Sequence, residues 1–117
     1  MATAELTKAT IVEGKVLKFT WPLTSANPAG APIPAMFAEY SDRTVYFTGT
    51  WGAATAAWEG GDGTTYLACA DAQGTAITRT SDSGMERVVE SPEFSRPRLT
   101  TVGTNAAITA TCIARKA

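Results

Sequence analysis

The chain contains no histidine. That removes the Ser-His-Asp and Cys-His arrangements, the imidazole general base and nearly every catalytic zinc site, because each needs a nitrogen that titrates near neutral pH. Carboxylates, Lys, Tyr and the two cysteines remain. Glu59 and Asp62 flank Gly60-Gly61, and two carboxylates in different environments can divide general acid and general base between them. A carboxylate beside a glycine-rich turn more often caps that turn through backbone N–H groups, which is the reading preferred here. A calcium ion at Asp62 would find one carboxylate where it wants several oxygens. The chain is therefore expected not to be an enzyme, with no catalytic residue, cofactor or metal site assigned.

Cys69 and Cys112 allow a single disulfide. Cys112 shares a face with Ala106, Ile108, Ala110 and Ala114, and Cys69 shares one with Leu67, so both are expected as buried reduced thiols. Trp21, Trp51, Trp58, Tyr40, Tyr46 and Tyr66 could supply flat rings for stacking sugars. Trp21 lies on the face of Leu17 and Phe19, and Trp51 on that of Phe47, which points both to the core. Tyr46 lies among threonines and is the aromatic expected to touch a partner.

Ten Lys and Arg against eleven Asp and Glu give a net charge of −1. Neither sign forms a run, which disfavours nucleic acid and polybasic membrane binding. Arg96, Arg98, Arg115 and Lys116 come nearest to a basic patch and are read as solvated edge-strand charges. No apolar stretch approaches the roughly eighteen residues of a membrane span, and Met1 to Lys8 lack the basic-then-apolar pattern of an export signal. The expected product is soluble, with no membrane partner.

These side chains must be carried by strands. Roughly a third of the 117 positions are Ala or Thr, a bias toward small and β-branched residues. Residues 1–14 read as an extended arm. From Lys15, Leu17, Phe19 and Trp21 alternate with Val16, Lys18 and Thr20, and Pro22 is expected to end that strand. Arg43 to Trp51 alternates again, with Val45 and Phe47 against Thr44, Tyr46 and Thr48. Ala54, Ala56 and Trp58 follow Gly52 closely enough to predict a hairpin with it. Further strands are expected at Thr65 to Ala70, Ile77 to Thr80, Met85 to Glu90, Arg98 to Val102 and Ala107 to Arg115, separated by turns that include Gly60 to Gly63 and Asp71 to Gly74. About eight short strands predict one antiparallel β-sandwich or jelly roll over residues 15–117, preceded by the arm at 1–14. Its Ala-stocked interior is expected to be thin.

Between Pro22 and Phe37 lies an aperiodic stretch with Pro28, Pro32 and Pro34, longer than connections usually run. It reads as a crossover that covers one open end of the sandwich, with Ile33, Met36 and Phe37 tucked beneath it. It reads equally as a partner-contacting loop stiffened by proline, and the two readings are compatible.

Three runs resemble segments of one family. They are Tyr40-Ser41-Asp42-Arg43-Thr44-Val45 continuing into Thr48-Gly49-Thr50-Trp51-Gly52; Trp58-Glu59-Gly60-Gly61-Asp62-Gly63-Thr64-Thr65-Tyr66, followed by Asp71-Ala72-Gln73-Gly74; and Glu90-Ser91-Pro92-Glu93-Phe94-Ser95-Arg96-Pro97. Over residues 40–115 the chain resembles the capsid decoration, or cement, proteins of tailed bacteriophages. The resemblance implies a β-sandwich made in the host cytoplasm that adds to the outer surface of the assembled head. Its partners would be the major capsid protein and further copies of itself, as dimer or trimer. On that reading Lys8 and Ile11 of the arm, Pro28, Pro32, Ile33, Pro34 and Met36 of the loop, and Tyr46 are the expected partner-binding residues. The turn from Glu59 to Tyr66 also resembles that of galactose-binding-like jelly rolls. This implies an alternative, a carbohydrate-binding module of a phage tail or surface structure, which would need Trp51 or Trp58 exposed beside polar groups.

Overall fold

The computed structural model describes residues 3–4, 8–12, 16–37, 39–80, 84–90 and 92–116, the side chains at 3–4, 8–12 and 35 excepted. Among them run β1 (Thr3–Ala4), β2 (Lys8–Val12), β3 (Val16–Thr24), β4 (Ala29–Gly30), β5 (Asp42–Thr50), β6 (Thr55–Gly61), β7 (Tyr66–Ala68), β8 (Thr78–Thr80), β9 (Gly84–Arg87), β10 (Phe94–Thr101) and β11 (Ala107–Arg115). A 3₁₀ turn occupies Ala35–Phe37. The strands form a six-stranded sheet, ordered β1-β4-β10-β6-β7 with β8 also on β6, and a five-stranded sheet ordered β2-β3-β11-β5-β9. All pairings are antiparallel except β1 with β4. The chain is thus an all-β sandwich, as the alternation predicts.

The core follows from that alternation. Leu17, Phe19, Trp21 and Leu23 of β3 are buried, as are Val45 and Phe47 of β5 and Ile108, Ala110, Cys112 and Ala114 of β11. Ala56 and Trp58 of β6 and Leu99 of β10 join them in one cluster. The small residues stand beside the large ones: Trp21 pairs in register with Ala110, Phe19 with Cys112 and Leu17 with Ala114. Alternating bulk in this way lets the layers interdigitate, so the Ala-rich interior is matched to its aromatics rather than thin. Trp21 and Trp58 meet edge to face, ring centroids 5.5 Å apart.

Several expectations are corrected. Pro22 does not end its strand, since it pairs with Thr109 inside β3. Among the described residues β2 covers β3 only as far as the Lys8–Thr20 pair, so β3 has an open side at Pro22 where no partner needs the missing N–H. Trp51-Gly52 does not close a hairpin: β5 belongs to the five-stranded sheet and β6 to the six-stranded one. Positive φ at Gly52 (55°) and Ala53 (66°) swings the chain across, and Thr104 N–H donates to Gly52 O at 2.8 Å to hold the crossing. Residues 94–97, which precede the strand expected to begin at Arg98, already belong to β10. The arm expected at 1–14 supplies β1 and β2, which pair with β4 and β3, because unpaired backbone on β3 and β4 accepts them; its remaining residues lie outside the described ones.

The proline loop covers an edge rather than an end. Leu99 N–H donates to Pro28 O at 2.7 Å, and Ile33 N–H to Ser95 O at 2.9 Å, so residues 28–33 run along β10. A Cβ on Gly30 would stand 2.7 Å from Pro97 Cγ and 2.9 Å from Trp21 Cδ1. Only glycine lets the loop lie that close.

Candidate functional site

The outer face of the five-stranded sheet is built by the residues that alternate with the core. Register aligns Pro22, Thr109 and Thr48 in one row, and Lys8, Thr20, Thr111, Tyr46 and Met85 in the next, with Lys8 on the end strand β2. Thr111, flanked by Thr20 and Tyr46, is 4% exposed although it points away from the core. Met85 is 66% exposed. The other charges gather at one end, in the rows holding Lys18, Thr44 and Arg87 and then Asp42 and Arg115. Asp42 and Arg87 approach to 3.6 Å there, both well exposed, and such a pair contributes little. Apart from Lys8 at its border, the remainder is a patch of hydroxyls, methyls, one phenol and one thioether, which another protein can cover while stripping water from few charges.

The residues expected to bind a partner do not converge on one patch. Tyr46 is half-buried on the outer face just described, while the loop lies beside β10 on the other sheet. Within the loop Pro32 and Pro34 are exposed, and Met36 is 77% exposed. Met36 is therefore not tucked beneath the loop: it sits on a single 3₁₀ turn whose neighbour Phe37 takes the inward position against Phe19, at 5.4 Å. Pro28 and Ile33 are buried and hold the loop down, so they support a surface without forming it. Lys8 and Ile11 pair in register with Thr20 and Leu17; their side chains lie outside the described residues.

Glu59 and Asp62 do not act together. Asp62 Oδ1 accepts the N–H groups of Thr64 and Thr65 at 2.9 and 2.8 Å, as a turn-capping aspartate does. These bonds, that of Thr65 first, lower its pKa below the usual carboxylate range. Glu59 turns instead to Arg96 and Arg98. Those arginines stand on β10, an interior strand between β4 and β6, which corrects their reading as edge charges. Both cysteines are free and buried. Burial, with Glu90 adding to it, pushes the Cys69 thiol up to about 11. Burial pushes Cys112 up to about 12, so neither is a nucleophile at neutral pH. Leu67, expected inside with Cys69, is 72% exposed. It stands on the end strand β7 and lines an open cleft of about 320 Å³ with Cys69, Glu90 and Pro92. Among the described residues no group of three His, Cys, Asp or Glu side chains could hold a metal ion.

Arg43 was legible only as a strand residue. Its parity with Val45 and Phe47 places it inward, where it is 6% exposed. Its Nε donates to Tyr40 O at 2.9 Å, Nη1 to Ser95 Oγ at 2.6 Å and Nη2 to Phe37 O at 3.3 Å. Burial lowers its pKa, yet a guanidinium stays charged. A buried cation thus ties the end of the proline loop to both sheets.

No family model and no curated protein matches the chain.

Proposed function

We propose that the protein is a structural component of a phage virion, a decoration protein that adds to the outside of the assembled head and bridges neighbouring major capsid protein subunits without catalysis. The observation that carries this reading is the threonine-rich part of the outer face of the five-stranded sheet, away from its charged end, with Tyr46 and Met85 upon it. The three runs that resemble cement proteins support it. So does the net charge of −1, which suits a protein facing away from packaged DNA. Copies associate as a dimer or trimer, and many modest contacts repeated over a closed lattice retain each copy through avidity. Only the assembled head presents the full site, so binding stabilises that state by mass action. The exposed Pro32, Pro34 and Met36 offer a second contact on the sandwich flank. The carbohydrate-binding alternative draws no support from Trp58, which is fully buried, or from Trp51, which is 9% exposed.

The test is the double substitution Thr48→Glu with Thr109→Lys. These residues face each other across β5 and β11, so opposite charges there preserve the strand pairing while placing two charges in the patch. The variant is expected to keep the melting temperature of the isolated protein and to lose co-sedimentation with heads. Undiminished co-sedimentation would refute the patch.

A further inference from the structure

The outer face of the other sheet carries a cluster that the capsid reading does not use. Arg96 stands opposite Glu59 across β10 and β6, and Arg98 opposite Ala57. Both guanidiniums give Nε–H to the same oxygen, Glu59 Oε1, at 3.3 Å from Arg96 and 3.0 Å from Arg98. The Glu59 side chain is 7% exposed, whereas those of Arg96 and Arg98 are 24% and 37% exposed. The carboxylate is therefore the floor and the two guanidiniums stand over it. The Arg96 guanidinium also lies 3.9 Å from the centroid of the Tyr66 ring. Around them the register positions among the described residues include Ala29, Ala57, Ala68 and Thr78, all small side chains.

Two arginines and one glutamate leave this cluster one positive charge in excess. Each arginine meets Glu59 through Nε, which leaves its Nη donors outside that pairing on a partly exposed side chain. Stacking on Tyr66 and anchoring by Glu59 restrict both side chains in advance, which lowers the entropy lost when a ligand docks. We propose that Arg96 and Arg98, oriented by Glu59, form a receptor for one carboxylate presented by a neighbouring protein chain. The charge selects the ligand: a monoanion neutralises the cluster, whereas a phosphate dianion exceeds it and is opposed by Glu59 beneath. Guanidinium forks match the two oxygens of a carboxylate.

The test needs no heads, so its outcome is separate from that of the capsid reading. The ¹⁵N-labelled full chain is titrated with sodium acetate and, in parallel, with sodium phosphate at constant ionic strength, following the Nε–H resonances of Arg96 and Arg98. Acetate is expected to move both along one saturable curve, with phosphate binding no tighter. Arg98→Gln, at an exposed position, should weaken acetate binding by about fivefold or more with the backbone spectrum retained. Glu59→Gln raises the excess charge and should reverse the order, making phosphate the tighter ligand. An acetate response no different from that to chloride overturns the proposal, as does a preference of the unmodified chain for phosphate.

Discussion

Trp21 and Trp58 touch in the core and are both fully buried, yet they differ in one atom's surroundings. Trp21 Nε1 donates to Ala31 O at 2.8 Å; Trp58 Nε1 is buried with no partner. Replacing each in turn by Phe separates the two. Trimming an indole to a phenyl removes about 40 Å³, costing about 2 kcal/mol from cavity and transfer together. Trp21→Phe also loses a hydrogen bond that ties the proline loop to the core, worth about 1 kcal/mol, for a total near 3 kcal/mol. Trp58→Phe deletes an orphaned donor whose burial costs about 1–3 kcal/mol, so the penalty is largely offset and the net lies between roughly −1 and 1 kcal/mol. Urea denaturation followed by circular dichroism reads both variants, with unchanged slope as the sign that compactness is preserved. The reasoning predicts Trp21→Phe to be the costlier by about 2–4 kcal/mol. Equal losses would refute it. A stacking platform for sugar would behave differently again, with Trp58→Phe leaving stability untouched and changing saccharide-induced fluorescence.

Gly30→Ala would drive a Cβ against Pro97 and Trp21 and should cost about 1–3 kcal/mol in the same assay. Both cysteines should resist a thiol reagent at pH 8 and react fully in denaturant. Their folded pKa values, about 11 and about 12, lie above the ordinary 9.0. Their stabilisation is therefore complete below pH 9 and lost as pH rises through those values, and the urea midpoint should fall over that range, less steeply in Cys112→Ala. Asp62 has the opposite sign: its lowered pKa gives a contribution present above the ordinary carboxylate value and lost as pH falls through the folded one. Protection of the Thr64 and Thr65 amides should drop on acidification, and Asp62→Ala should abolish that dependence.

Much of the fold was legible because side-chain parity reports which face a residue takes. Leu17, Phe19 and Trp21 alternate into the core, as do Ile108, Ala110 and Cys112, and the glycine-aspartate turn is capped as its residues require. Parity does not report which sheet receives the next strand. The step from β5 to β6 turns on φ at Gly52 and Ala53, and a two-residue turn and a crossing between sheets read alike there. Proline was over-weighted for a related reason: Pro22 and Pro97 sit inside strands because the neighbouring strand leaves their side open or reaches only part way. The proposed interaction patch was legible as a threonine face around Tyr46. The Glu59 cluster was not, since its members lie 37 and 39 positions apart and meet only through the pairing of β6 with β10. Its one visible trace was the spacing of Arg96 and Arg98, two residues apart and hence on one face.

The central claim is attachment to the head through the five-stranded sheet, and a reconstruction of heads with and without this protein tests it most directly. The account predicts added density on the outer surface at boundaries between major capsid protein subunits, with Tyr46, Thr48, Met85 and Thr109 turned toward the capsid and Arg96 and Arg98 on the opposite face. Heads that acquire no density, or density in which the five-stranded sheet faces solvent, would contradict it.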